Sequence, residues 1–466
     1  MTRLLLRLLA VLSLTLLALL TLPGLILPGQ VTAGDTQTAA SEVVIHRTVR
    51  VSVASDGAQS AYETTGEPVL SQDGRYIAFD TFASDLVPND TNDGHDVFVH
   101  DRQTGITERV SVTSSGKQGG DTSWGPAISA DGNRVVFASA AALSDGGIAM
   151  WDIYLHDRQT GQTTRVSVAS DGTSADQSSI DQPAISADGN VVAFTSEATN
   201  LVVGDTNNSA DIFVRDLTTG QTTRVSVASN GAQADGYSAS PALSADGRYV
   251  AFSSGASDLV AGDTNNVEDI FRHDRQTGET ILISRRLESA GGAQGAFIPA
   301  ISTDGAKVAF MSRSNDFVPG DDSDADIFLV DVAVGAPGLV SVNTDGVKGN
   351  GDSTALALSA DGRYVAFDSV ADNLAPDDTN EVYDVFVRDV ATGQTWRNSL
   401  GMGGEQGNGG SSTPGISPDG RVVGFVSFAS NLVPDDTNDE DDLFVRYPVS
   451  VAAQWFLPVV LGGDNR

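Results

Sequence analysis

Five stretches of the chain carry one oxygen-rich signature, Asp-Thr-Asn-x-x-x-Asp. They are Asp90/Asn92/Asp96, Asp205/Asn207/Asp211, Asp263/Asn265/Asp269, Asp378/Asn380/Asp384 and Asp436/Asn438/Asp442. Side-chain oxygens at relative positions 1, 3 and 7 are the spacing with which a calcium loop opens, where alternate side chains and one carbonyl converge on a hard cation. Carboxylates crowded into one short loop repel each other, and a divalent ion relieves that repulsion. The ligand pattern is incomplete, because position 5 is Gly94, Ser209, Val267, Val382 or Glu440 and the bidentate Glu of position 12 is missing. A shortened variant, Asp321-Asp-Ser-Asp-Ala-Asp326, occurs once, and the stretch from Ser144 to Asp152 lacks the motif. Two readings stand side by side: a structural Ca2+ repeated in these loops, and Asx-turn chemistry that needs no ion.

Catalytic chemistry has thinner support, and no catalytic residue is nominated. Three of the five histidines, His100, His156 and His273, share one repeat column in which other copies have Arg215, Val330, Arg388 and Arg446. A catalytic histidine should be singular, so these read as generic strand-end residues. His95 lies in an Asp-rich loop, within reach of a metal there. No cysteine is present, which excludes thiol catalysis and disulfides. No zinc-helix, nucleophile-elbow or Walker motif occurs.

The elements that must position these residues follow from internal repetition. Asp-Gly pairs begin at Asp73, Asp131, Asp188, Asp246, Asp304, Asp361 and Asp419, each preceded two residues earlier by serine and followed six residues later by phenylalanine. A second aromatic column runs through Phe98, Tyr154, Phe213, Phe271, Phe328, Phe386 and Phe444. These aromatics read as core, and the serines as turn-bonding groups, since seven identical nucleophiles are implausible. Each copy reads as four short strands rich in Val, Ile and Phe. In the fourth copy they are Pro241-Ala-Leu-Ser, Arg248-Tyr-Val-Ala-Phe-Ser, Asp269-Ile-Phe-Arg-His-Asp and Thr280-Ile-Leu-Ile-Ser, joined by Asp-Gly and Thr-Gly turns. Seven four-stranded antiparallel units predict an all-β, seven-bladed β-propeller spanning 47–447. The last copy lacks its fourth strand, while Val49-Arg-Val-Ser-Val53 matches a fourth strand with no blade before it. Residues 47–53 are therefore expected to latch the ring by completing the seventh blade. Strand alternation sends the long connections, and with them the Asp-Thr-Asn loops, to one face of the disc.

The recurring Ser-x-Asp-Gly-x-x-Val-Ala-Phe, Asp-Ile-Phe-Val-x-Asp and Thr-Gly resemble the WD40-like (PD40) repeats of bacterial TolB-type propellers. The resemblance covers about 47–447 and implies the propeller fold. It departs from TolB in having seven copies where TolB has six, longer insertions, and only residues 34–46 where TolB carries an α/β domain. TolB's own role does not follow from repeats alone.

Around the repeats, residues 1–33 are laid out as a secretory signal peptide. Arg3 and Arg7 precede an uncharged run from Leu8 to Leu27, with Val31-Thr32-Ala33 at the cleavage point. An uncleaved anchor is the alternative, since the run is long enough to span a bilayer. Residues 34–46 read as a linker and 448–466 as a tail, apolar from Trp455 to Leu461. The 466 residues carry 27 Lys+Arg against 61 Asp+Glu, a formal charge of −34. Such a surface repels polyanions, which argues against nucleic-acid binding. The expected function is an exported, monomeric, non-enzymatic binding module, secreted or periplasmic, whose long-loop face takes a protein or an extracellular polysaccharide. The alternative is a carbohydrate- or peptide-active hydrolase or lyase at the mouth of the central channel, using non-repeated acids such as Glu67 or Asp121.

Overall fold

The computed structural model describes residues 42–144, 150–286 and 294–452, so the expected export segment and the apolar stretch Trp455 to Leu461 lie outside the described residues. Val44–Val451 forms one unit. Among the described residues every regular element is a strand, and the strands make seven four-stranded sheets. Six sheets are built from four consecutive strands each. The fourth is typical: Ser238–Leu243, Tyr249–Ser254, Asp269–Asp274 and Glu279–Leu282, running from the channel outward. The two aromatic columns meet within each blade as stacked pairs, for example Phe252 and Phe271 with centroids 5.9 Å apart. Both faces of a blade are covered by its neighbours, which is why the second and third strands are buried along nearly their whole length, with apolar residues at their centres. One cluster joins Ala193, Ile212 and Val214 of the third blade to Val250, Phe252 and Phe271 of the fourth.

The Asp-Gly hairpins explain two further columns. Ser244 Oγ donates to Asp246 Oδ1 at 2.7 Å and accepts from the amide of Tyr249 at 2.9 Å, while Asp246 Oδ1 also takes the amide of Arg248. Gly247 has φ +68°, and a Cβ there would meet Val191 of the preceding blade at 2.8 Å, so turn geometry and blade packing both demand glycine.

In five blades the inner strand extends further than the sequence predicts, whereas in the first and third it is only Val69–Leu70 and Ala184–Ile185. In the fourth blade pairing starts at Ser238↔Ser254, three residues before Pro241, and shifts register between Ala239 and Ala242. This bulge accommodates the proline, which has no N–H to give to the ladder. It also forces the preceding residue to positive φ: Ser240 (+54°), Ile298 (+54°) and Thr413 (+48°) in the fourth, fifth and seventh blades.

The ring closes through the chain's N-terminal strand. Glu42–Arg50 lies beside Asp442–Ala452 in the sheet of the seventh blade, as the latch expectation requires. Both strands are longer than the sequence implies: one begins within the stretch read as a linker, and the other continues through Pro448 into the stretch read as a tail. On the short-turn face, amide-to-carbonyl bonds link neighbouring hairpins around the axis, from Gln72 N to Ala130 O (2.9 Å) through to Ala360 N to Pro418 O (2.9 Å). Residue 418, being proline, has no N–H to extend this series to the first blade.

Candidate functional site

The Asp-Thr-Asn loops lie where expected, between the second and third strands. The structure brings the first and last aspartates of each motif together. In the first blade Arg109 Nη1 lies 3.1 Å from Asp90 Oδ1 and 3.2 Å from Asp96 Oδ2, and Gln118 Nε2 donates to the same two oxygens at 2.6 and 3.0 Å. Ser111 Oγ donates to the other oxygen of Asp96. The same cassette recurs as Arg224/Gln233 on Asp205 and Asp211, Arg397/Gln406 on Asp378 and Asp384, and Arg50/Gln59 on Asp436 and Asp442. A guanidinium and a carboxamide thus occupy the space between these carboxylates. Burial pushes Asp96, Asp211 and Asp442 up, and their hydroxyl, arginine and glutamine partners pull them back.

The middle residue of the motif also serves the loop itself. The side-chain oxygens of Asn92, Asn207, Asn265, Asn380 and Asn438 turn toward the loop's own backbone. Each accepts the amide two residues on, from Gly94 (3.2 Å), Ser209 (3.1 Å), Val267 (3.2 Å), Val382 (3.5 Å) and Glu440 (3.4 Å) respectively. This is the Asx-turn reading of the motif, in which the side chain mimics a backbone turn. In four of the five, the amide nitrogen of the same side chain donates to a carbonyl on the following connection. Asn92 reaches Gly119, Asn207 reaches Ala234, Asn380 reaches Gly407, and Asn438 reaches Ser60 across the ring closure. Both ends of each carboxamide are therefore committed to holding the loop's shape.

The remaining blades vary the cation. Asp152 pairs with Arg165 in the second blade, where the first aspartate of the motif is absent. In the fourth, Leu282 stands at the arginine position. Arg286 reaches Asp269 from further along the chain (3.5 Å), Asn265 donates to Asp269 Oδ2 at 2.6 Å, and Asp263 is pushed up by burial and by Asp269. In the fifth, Lys348 serves Asp321, Asp322 and Asp326.

The histidine column is structural in its contacts. Thr107 Oγ1 donates to the carbonyl of Val53 at 2.6 Å, so His100 Nδ1 must be the donor to Thr107 Oγ1 at 2.9 Å. Burial lowers its pKa to about 4, and His156 and His273 repeat both the bond to threonine and the direction of the shift. Arg215 and Arg388 fill the same position with the same threonine contact.

The residues that break the repeat gather at the other feature of the long-loop face, the wide mouth of the axial channel. This cavity of about 490 Å³ is lined by the inner strands, and among the described residues its charged lining is Glu67 and Asp181. Asp80 and Asp368, at the ends of second strands, stand behind the wall. Three of these four acids have structural partners across a blade boundary, each accepting the amide of a bulge residue in the next blade: Asp80 from Gly125 (3.2 Å), Asp181 from Ser240 (2.6 Å) and Asp368 from Thr413 (3.1 Å). His95 Nδ1 lies 2.9 Å from Asp80 Oδ2, with its ring against the exposed Phe82. Glu67 has no hydrogen bond or ion pair among the described residues. Burial, then Asp368 and Asp80, raise its pKa to about 7. Asp121 is elsewhere, exposed and capping the amide of Thr122 at 2.8 Å. Glu67 is legible in the sequence as a residue that breaks the repeat; its acidic neighbours, which come from the first and sixth blades, are not.

No family model matches the chain, and no curated relative matches it. Solved structures do. Oligogalacturonate lyase from Vibrio parahaemolyticus is 12% identical, covering 87% of this chain and 98% of that one with a TM-score of 0.52. The β-propeller domain of the Trilobed protease from Pyrococcus furiosus is 10% identical over 86% and 99%, with a TM-score of 0.50. TolB from Acinetobacter baumannii is 17% identical over 65% of this chain with a TM-score of 0.39, and the chain spans 58% of that TolB's length. TolB and other β-propeller proteins are thus among its structural neighbours, and at these identities what they share with it is the fold.

Proposed function

We propose that the protein is an exported binding module that holds a cationic segment of a partner protein at the wide mouth of its channel. The observation that carries this reading is Glu67, which among the described residues has no partner and stands in a wall to which no Lys, Arg or His contributes. A lysine, an arginine or a terminal amine entering there would supply the missing counter-charge, and the overall charge of −34 would steer it in. Exposed Phe82 and Tyr237 on the same face offer apolar surface for the stem of such a side chain. The test is fluorescence anisotropy with a short Lys-Gly peptide against a Glu-Gly peptide of equal length. Saturable one-to-one binding of the first alone is expected, and equal affinity for both would overturn the proposal.

A second reading is favoured by the pKa of the same residue. A carboxyl near 7 can take or give a proton at neutral pH, as a general base or acid must. Structural neighbours include an oligogalacturonate lyase and propeller domains of peptidases. A uronate polymer is itself anionic and would be repelled by Glu67 and Asp181, so a neutral glycan or a peptide is the better substrate class. Turnover in a glycan and peptide hydrolysis screen, abolished by Glu67→Gln, would favour this reading over pure binding.

A further inference from the structure

The fifth blade departs from the others at its acidic loop. Leu339 stands at the arginine position, paired with Phe328 as Arg109 is paired with Phe98. Lys348 stands at the glutamine position, bridged to Val342 as Gln118 is to Val112. The blade has therefore lost both the guanidinium and the carboxamide, and the loop has gained a third carboxylate. One oxygen from each of Asp321, Asp322 and Asp326 lies within 4.8 Å of the other two. Oxygens on opposite sides of one calcium ion, each about 2.3–2.6 Å from it, are about 5 Å apart, so all three can share one ion.

A second observation points to a ligand. The Asp321 side chain is 1% exposed, and its Oδ2 is buried with no hydrogen-bond partner. Its Oδ1 accepts the amide of Asp322 at 2.9 Å. Lys348 Nζ is 2.7 Å from Asp322 and 2.9 Å from Asp326, but 3.8 Å from Asp321. One ammonium thus faces three carboxylates, stands furthest from Asp321, and leaves its buried Oδ2 unmet. Lys348 is also a cation that can leave. It sits at the end of a flexible stem with 17% of its side chain exposed, whereas Arg397, 6% exposed, is tied to the carbonyls of Pro376 and Asp377.

We propose that Asp321, Asp322 and Asp326 form a divalent-cation site of the calcium class, one per chain, filled when the Lys348 ammonium swings out to solvent. An all-oxygen donor set selects Ca2+, Mn2+ or Mg2+ over zinc or copper, with water completing the shell. Calorimetric titration of the full chain with CaCl2 tests it. One equivalent should bind. Lys348→Gln, which copies the other blades and removes the competing charge, should tighten binding roughly tenfold, and Asp322→Asn should weaken it by a similar factor. Asp322 is exposed, so its variant should fold normally, as circular dichroism would verify. Leu339→Arg should exclude the ion by restoring the guanidinium. The proposal falls if neither the wild type nor Lys348→Gln binds calcium up to about 10 mM, or if Asp322→Asn and Leu339→Arg bind as the wild type does.

Discussion

Ser52 Oγ donates to the buried carboxylate of Asp442 at 2.6 Å across 390 positions of sequence. Arg50 adds ion pairs of 3.1 Å to Asp436 and to Asp442, and Gln59 bonds both. The polar cassette that is local in the first, third and sixth blades therefore ties the two ends of the propeller together in the seventh. Asp442 is fully buried, so Arg50→Ala would leave an uncompensated charge inside and should cost about 3–5 kcal/mol. Urea denaturation reads this directly. Arg75→Ala, which breaks the shorter but more exposed pair with Asp101 (2.7 Å), should cost much less.

Within a blade, Ser226 Oγ donates to Asp211 Oδ1 at 2.6 Å and accepts the amide of Ile212. Ser226→Ala should lower stability by about 1–3 kcal/mol, since it leaves a buried acceptor and a buried donor unmet. A loss below about 0.5 kcal/mol by chemical denaturation would mean that water replaces the hydroxyl.

Ile298 sits at φ +54° and is 45% exposed. The left-handed region costs a non-glycine residue about 1–2 kcal/mol, and a β-branched one is disfavoured further. Ile298→Gly should therefore raise stability by about 1 kcal/mol despite the small loss of apolar contact. An unchanged or lower denaturation midpoint would show that Ile298 contributes packing of its own.

Burial holds His100, His156 and His273 below the ordinary histidine value. Below pH 6.5 the unfolded chain therefore binds more protons at these residues than the folded one, down to about 4 for His100. Their contribution to stability is present above pH 6.5 and is lost as pH falls through that window. Proton NMR of the three imidazoles should show titration midpoints displaced to acid, with His100 near 4.

Much of this architecture is readable from columns. The Asp-Gly period gives the blade count, the paired aromatics give the core, and the orphan Val49-Arg-Val-Ser-Val53 gives the latch. The cation within the Asp loops is harder to read, although a signal exists. Arginine recurs at 50, 109, 165, 224 and 397, thirteen residues after the third-strand Asp in the local blades, and is replaced at Leu282 and Leu339, where Arg286 and Lys348 arrive instead. Strand patterning alone treats those arginines as outer-strand filler, because it does not say which side chains share a sheet face. Spacing is equally silent on which way a carboxamide turns, and the bonds from the loop amide two residues on to Asn207 and Asn438 are seen only in the structure. The channel mouth is less accessible still. Glu67 and Asp80 belong to the first blade and Asp368 to the sixth, and only the closed ring brings Asp368 into electrostatic reach of the other two.

The most direct test of the channel-mouth account is the affinity of a short Lys-Gly peptide as a function of pH, in the wild type and in Glu67→Gln. Glu67 titrates near 7, so its charge, and with it the binding of a cation, should grow as pH rises from 6 to 8. The account requires an affinity that rises through that window in the wild type, and one that is flat and roughly tenfold weaker or more in Glu67→Gln. Equal affinity and equal pH dependence in the two proteins would place any binding on the general acidic surface and contradict the assignment of the mouth.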